Sequence, residues 1–516
     1  MRPSRGATPS WRNASPTGRR SPGTCETAMS ARPLRVVDAS RPLEVRDAIA
    51  DALAGGAPVL PRSGAASAGG SRPAPAALSL GGEWPGDACL VIETSGSTAT
   101  PKRVVLTATS LRASAAATAA RLSGAPQAGD SGGDGARCFG HAQWMLCLPA
   151  EYVAGAQVLA RSIMAETEPV VSTPGPFDAL RFAADVDRMH EGLRRTSIVP
   201  AQLGRLLDAA EGVGVAGGAG GAGGDEAARV RAAVASLDAV LVGGQSTPLA
   251  LRERAARLGW RLVTTYGASE TSGGCVYDGV PLDGVEARVV DGEVQLSGEV
   301  LAAGYLGDPE RTAQAFVCDG GRRWYRTGDG GTVEVRAKVA CAEGERAEGE
   351  RTDGAGAGDA GVGDVRAGPV RAGDGSGEQR ISIAGRLDNV IISGGEKVSL
   401  DRVERLVREV AGYEESVVVG VPSAEWGEVP AVVLAGPAAL THPEAPSGRT
   451  GVCVDAPEAL AADPGWKVVR AAAEAAGRAA RPAHRIRLAT MPRLVSGKPD
   501  RREVTDLARR ALAEGA

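Results

Sequence analysis

The segment that most constrains this chain is Thr94-Ser95-Gly96-Ser97-Thr98-Ala99-Thr100-Pro101-Lys102, which follows the apolar run Cys89-Leu90-Val91-Ile92. The run reads as a buried strand. Eight of the nine residues after it are small hydroxyl residues, Gly, Ala or Pro, and a lysine closes the segment. A loop so poor in bulk lets phosphate oxygens approach backbone N–H groups and hydroxyls, and Lys102 adds a point charge. The same composition also describes a solvated Ser/Thr/Gly linker. No Gly-Lys-Ser/Thr follows Gly96 at Walker A spacing, so a P-loop ATPase or kinase is excluded. A strand that feeds such a loop argues for an α/β chain that handles a nucleotide.

The bulk composition narrows the rest. A chain of 516 residues has room for two or more domains with ample core. A net charge of −4 and 3% aromatic residues give neither a basic field nor stacking platforms for nucleic acid. The eight cysteines include no C-x-x-C pair, and the four histidines are far apart. Structural zinc, a disulfide framework and a His-based triad are therefore disfavoured, and a reduced, cytoplasmic protein is expected. No apolar run is long enough to span a membrane. Only five of the 58 basic residues are lysine: Lys102, Lys338, Lys397, Lys467 and Lys498. Where arginine is so widely used, a lysine marks a place that needs a compact ammonium.

Residues 1–33 are rich in Arg, Ser and Pro without an apolar core and read as a disordered tail, not a secretory signal. Segments near 212–224, 343–378 and 436–464 are rich in Gly, Ala and charge and read as insertions outside the core. Between them, strand-like runs such as Asp238–Val242 and Trp260–Thr265 alternate with helical patterns such as Leu249–Leu258. This rhythm predicts a large α/β N-terminal domain over 34–384. A second, smaller α+β domain is expected over 385–516, with Ser399 as the N-cap of a helix carrying Val403, Leu406, Val407 and Val410.

Four further motifs accompany the loop. Tyr266-Gly267-Ala268-Ser269-Glu270-Thr271 places a carboxylate behind a strand, where α/β sheets bind ligands. Tyr325-Arg326-Thr327-Gly328-Asp329 is read the same way. Gly385-Arg386-Leu387-Asp388 opens the second domain, and Ser496-Gly497-Lys498 lies near the end. Each alone is a turn or a solvated loop more often than a site. All five in this order resemble the adenylate-forming superfamily, which includes acyl-CoA synthetases, from about Cys89 to Leu512.

The resemblance implies a multi-sheet N-terminal adenylate-forming domain and a small mobile C-terminal lid. Thr94, Ser95, Gly96, Ser97, Thr98 and Lys102 would cradle ATP phosphates. Glu270 would hold Mg²⁺, and Asp329 would accept the ribose hydroxyls. Tyr266 and Gly267 would face adenine with Gly243, Gly244 and Gln245 along its edge, and Arg386 would also face the nucleotide. Lys498 would stabilise charge on the reacting carboxylate and α-phosphate. Asp388 would be the hinge, and Gly394, Gly395 and Lys397 would serve the CoA side. ATP, Mg²⁺ and coenzyme A are thus the implied cofactor and substrates, with small-molecule partners only, no nucleic acid, no membrane span and a homodimer by family habit.

Within that superfamily, Leu148–Ser162 and Ser269–Leu282 resemble the o-succinylbenzoate–CoA ligases of menaquinone biosynthesis. Arg161, Tyr152, Gly267 and Ser269 would then line the acyl pocket. Arg161 sits in an apolar segment and needs a partner. That partner is either the second carboxylate of a dicarboxylic substrate or a structural salt bridge. Two departures stand out: Ala99 replaces a family glycine, and Glu151-Tyr152 replaces a His-His pair. The alternatives are a ligase for another aryl or fatty acid, or a non-catalytic nucleotide-binding regulatory protein.

Overall fold

Four larger sheets and one two-stranded ribbon organise the chain in a computed structural model, which describes residues 29–30, 32–64, 84–94, 101–123, 141–212, 222–337, 377–435, 452–494 and 498–514. The central sheet has seven strands, and its heart is the parallel set Val170–Val171, Gln143–Leu146, Arg194–Ile198, Ala239–Val242 and Leu262–Ala268. Strands of this kind are covered on both faces, so they read as continuous apolar runs. One apolar cluster, with Trp144, Leu159 and Tyr277, lies on one face. A second, with Met145, Leu207 and Val240, lies on the other. The change from Trp144 to Met145 between faces is the two-residue period of a strand.

Beside it stands a five-stranded sheet in which Ala88–Thr94 and Lys102–Thr107 form an antiparallel pair, Thr94 opposite Lys102. The expected strand before the phosphate loop is therefore present, and the described ends of the loop segment, Thr94 and Lys102, are paired. A third sheet is built around the long strand Arg322–Ala337, which pairs with Gly377–Arg386. The C-terminal part folds around a six-stranded sheet whose strand Val417–Ser423 sends alternate valines into opposite cores. Its helix Leu400–Arg408 starts at Ser399, whose Oγ accepts from Arg402 N at 3.4 Å. Among the described residues no helix is long and apolar enough to cross a membrane.

Several expectations need correction. The tail does not run free to residue 33. Met29–Ser30 pairs with Trp84–Pro85, and Arg32 Nη1 donates to Gly55 O and Gly56 O at 2.9 and 2.6 Å. The segment read as an insertion over 436–464 contains the strand Val452–Val454 and the helix Pro457–Ala462. Leu460 there is buried against Trp466, so one leucine suffices to dock an alanine-rich helix. The insertion near 212–224 overlaps the helix Ala222–Ala235, while 213–221 lie outside the described residues. Of 343–378, Gly377 and Glu378 belong to a strand and the rest lies outside the described residues.

Candidate active site

The strand Leu262–Ala268 ends at a single turn, Ser269–Thr271, that carries Glu270 into the interior. Ser272 (φ 53°) and Gly273 (φ +91°) then reverse the chain into the antiparallel strand Gly273–Tyr277. Glu270 is 6% exposed, and its Oε1 accepts from the Tyr305 hydroxyl at 2.8 Å. Its main-chain oxygen accepts from Ala302 N at 2.8 Å. Burial and the Glu270 charge push the Tyr305 hydroxyl well above the ordinary tyrosine range, so it stays a donor. Lys102 Nζ lies 5.7 Å from the centroid of the same Tyr305 ring. Tyr305 therefore ties the end of the phosphate loop to Glu270, a role the sequence reading missed. The remaining loop residues Ser95, Gly96, Ser97 and Thr98, with Ala99, lie outside the described residues.

Asp329 is not behind a strand but inside one, paired with Arg386. Gly328 (φ +70°) and a register shift at Gly330/Gly331 bend the strand there. Such a shift re-aims a side chain without ending the pairing. A Cβ on Gly328 would come within 2.9 Å of Arg386 Nη2, so only glycine lets the guanidinium lie across this bend. Asp329 Oδ2 accepts from the Tyr266 hydroxyl at 2.6 Å, and Oδ1 faces Arg386 Nη1 at 3.4 Å. Burial raises the Asp329 carboxyl above the ordinary value, while Tyr266 and Arg386 pull it back. Arg386 is otherwise committed to Asp388 through two bonds of 3.0 and 3.1 Å, and to Thr327 O at 2.8 Å. That fork holds the Asp388 carboxyl below the ordinary range. Arg386 thus buttresses Asp329 and links the expected hinge to it.

Lys498 reaches across from the C-terminal part. A Cβ on Gly244 (φ +83°) would lie 3.2 Å from Lys498 Cε and 3.8 Å from its Nζ. The loop that carries it is closed by Leu494 N on Lys498 O at 2.8 Å and Asp500 N on Pro492 O at 2.9 Å. The ammonium meets solvent but lies in a crowded cleft, and desolvation pushes it below the ordinary lysine value. Glu409 of the same part accepts from Leu249 N through both carboxylate oxygens at 2.9 Å, capping the helix Leu249–Arg257. Gly243 is pressed on Thr265, where a Cβ would meet Oγ1 at 2.3 Å, and Gln245 follows Gly244 in the same connection. Gly267 is equally tight, with Gly273 O 2.1 Å from any Cβ.

The structure brings Lys102 and Glu270 together at Tyr305, Tyr266 and Arg386 together at Asp329, and Lys498 against Gly244. It does not bring in the Gly394–Gly395 turn. There Gly394 N donates to Trp426 O at 2.9 Å within its own sheet, and Lys397 is exposed on the adjoining strand.

Of the acyl-side residues, Arg161 lies on the helix Val153–Met164, which starts just after Tyr152. Glu151 accepts from Ser63 N at 2.9 Å. Ser269 is buried beside Glu270. Gln157 Nε2 donates to Ser272 O at 2.5 Å. Arg161, two turns into the helix, is 5% exposed. Its Nη2 reaches only Thr118 Oγ1 and the Tyr277 hydroxyl, at 3.3 and 3.4 Å, and its guanidinium stands 5.0 Å from the Trp144 ring centroid. Its Nε has no hydrogen-bond partner among the described residues. The structural salt bridge considered for Arg161 is absent among the described residues.

Comparison with known proteins gives a consistent picture. The profile of the AMP-binding enzyme family matches residues 46–306. A probable 2-succinylbenzoate–CoA ligase of Mycobacterium tuberculosis is 39% identical over 260 residues, 50% of this chain and 58% of that protein. A 2-succinylbenzoate–CoA ligase of Salmonella typhimurium is 28% identical over 349 residues, 66% of this chain and 56% of that protein. The matched span is thus less than two thirds of the length of either relative. An o-succinylbenzoate CoA synthetase from Bacillus subtilis, solved with an acyl-adenylate intermediate, shares the fold with a TM-score of 0.52 at 21% identity, over 81% of this chain and 69% of that one. With half of its length matched by the family profile, the chain belongs to the AMP-binding enzyme family.

Proposed function

We propose that the chain is an ATP-dependent acid–CoA ligase that converts 2-succinylbenzoate, through an acyl-adenylate, to its CoA thioester, as in menaquinone biosynthesis. The observation that carries the reading is the approach of Lys498 to Gly244, with Glu270 held by Tyr305 and Asp329 by Tyr266. The similarity to proteins named 2-succinylbenzoate–CoA ligase supports the choice of acid.

In the first step the substrate carboxylate attacks the α-phosphorus of ATP, the bond to the β-phosphate oxygen breaks, and pyrophosphate leaves. Lys498 donates to the oxygens on which charge grows, in a cleft where that donation is worth more than in water. Lys102 and the loop Thr94–Thr98 hold the outgoing phosphates. Asp329, steadied by Tyr266 and Arg386, accepts from the ribose hydroxyls. Gly243, Gly244 and Gln245 with Gly267 leave room for the base. Glu270 suits Mg²⁺: it is a buried hard-oxygen donor, one of its oxygens is bonded only to a neutral hydroxyl, and no cation pairs with it among the described residues. Bound there, the ion would offset phosphate charge.

In the second step a CoA thiolate attacks the activated carbonyl and AMP leaves. We place the boundary between the two domains at 384/385 and the hinge at Asp388. Rotation there would withdraw Lys498 and bring Gly394, Gly395 and Lys397 to the thioester side. Arg161 and Tyr152 line the acyl pocket in this reading, with Ser269 and Gly267 at its mouth, and the acid's second carboxylate meets Arg161. A cytoplasmic homodimer completes the proposal.

The test is pyrophosphate release with 2-succinylbenzoate against a panel of aryl and fatty acids, followed by detection of the CoA thioester. Release that requires 2-succinylbenzoate is expected. Release with a fatty acid alone would move the assignment to another acyl-CoA synthetase. ATP binding without release for any acid would favour a regulatory protein.

A further inference from the structure

Arg161 is not the only buried cation on this wall. Arg195, second residue of the central strand Arg194–Ile198, is 1% exposed. Its guanidinium lies 6.0 Å from the Trp144 ring centroid, the same ring that carries Arg161 at 5.0 Å. Among the described residues its one side-chain bond is from Nη2 to Ser123 Oγ at 3.3 Å, and its Nε, like that of Arg161, has no partner. The nearby carboxylate, Asp238, is already spent on Arg194 N at 2.8 Å and on Arg261 at 3.4 Å. Desolvation lowers the pKa of the Arg195 guanidinium, Asp238 offsets part of that, and the Arg161 charge lowers it further.

Magnitudes decide what this means. Desolvating a guanidinium is costly, and two like charges add repulsion. Long bonds to neutral hydroxyls return only a fraction of that cost, and a shared tryptophan face little more. The described residues of the protein therefore leave this pair under-compensated. Elsewhere in the chain a buried arginine such as Arg408 or Arg485 is paired with a carboxylate.

We infer that Arg195 is a second anion-binding residue of the acyl pocket, so that the far carboxylate of a dianionic acid is held between two guanidiniums, Arg161 and Arg195, over Trp144. The inference rests on the proposed function for the position of the pocket and deepens it. The pocket does not merely tolerate a second carboxylate: its stability and its selectivity call for one. Arg195 is then a specificity-determining residue, remote from the reacting phosphorus.

The experiment compares kcat/KM for pyrophosphate release with 2-succinylbenzoate and with two monoacids that each lack one carboxylate, 4-oxo-4-phenylbutanoate and 2-butanoylbenzoate. Wild type, Arg195→Gln and Arg195→Lys are measured. Both kinds of acid are run on the same preparation, so a loss of folded protein cancels in their ratio. The diacid-to-monoacid ratio should fall about 30-fold in Arg195→Gln, mostly through KM for the diacid, with KM for ATP unchanged and partial rescue in Arg195→Lys. An unchanged ratio in Arg195→Gln overturns the inference. If Arg195→Gln yields no folded protein, the wild-type ratio decides: a preference for the diacid of about 100-fold or more supports it, and no preference overturns it. A wild type that ignores 2-succinylbenzoate but activates another dicarboxylate defeats the proposed substrate and leaves this inference standing. A wild type that favours monoacids defeats both.

Discussion

In the proposed reading, the nucleotide end and the acyl end of the site handle charge differently. At the nucleotide end Asp329 pairs with Arg386 and accepts from Tyr266, Arg386 also pairs with Asp388, and only Glu270 rests on a neutral hydroxyl, that of Tyr305. At the acyl end Arg161 and Arg195 have hydroxyls and one tryptophan face between them. On the proposed function, the first end is held largely by its own groups ready for one nucleotide, and the second is a recognition surface whose counter-charge the acid would supply. Substitutions at the first should therefore disturb ATP and chemistry, and substitutions at the second should disturb choice of acid.

The largest effect is expected at Lys498. Lys498→Ala should slow pyrophosphate release about 1,000-fold, as removal of a donor to developing charge does. Thioester formation from supplied acyl-adenylate should stay within a few-fold. Equal loss in both halves, read by quenched-flow, would break the assignment of Lys498 to the first step alone. Next comes Arg161. Arg161→Ala should raise KM for 2-succinylbenzoate about 30-fold or more and leave KM for ATP alone. Arg386→Gln should give the mirror image, with KM for ATP up about tenfold and KM for the acid unchanged. If both variants shift both constants alike, the two ends are not separate.

Two smaller effects concern closure. The lowered Lys498 pKa means its ammonium loses its proton at a lower pH than an ordinary lysine. The charged form is the one that helps, so kcat for pyrophosphate release should decline on the alkaline side before ordinary lysines titrate. Lys498→Arg should flatten that limb. A limb that persists in Lys498→Arg belongs to another group. Glu409→Gln weakens the cap on the helix Leu249–Arg257, a contact worth about 0.5–1 kcal/mol. It should cut adenylation two- to fivefold and spare the thioester half.

How much of this was legible in the sequence divides along the same line. Lys102, Glu270 and Lys498 stand in short motifs whose residue types carry their chemistry, so position and type could be read together. Tyr305 could not, because its role comes from a hydroxyl that folding brings 35 residues back to Glu270. Arg195 was hidden for a similar reason. A charged residue entering the run Thr196-Ser197-Ile198 looks like a strand end, and only the packing of Trp144 against it shows it is buried. Asp329 was read as following a strand, because Gly328 and Gly330 look like a turn. The partner strand Gly377–Arg386 carries the pairing through them. Residues 452–464 were read as an insertion because alanine and glycine dominate around them, yet Leu460 and the pairing with His484–Leu488 anchor them.

The central claim is that this cleft joins ATP to an acid with two carboxylates. The most direct measurement is mass detection of the adenylate after the protein is mixed with ATP, Mg²⁺ and 2-succinylbenzoate without CoA. The account predicts 2-succinylbenzoyl-AMP in amounts that match the pyrophosphate released. Pyrophosphate and adenylate appearing only with monocarboxylic acids would contradict it.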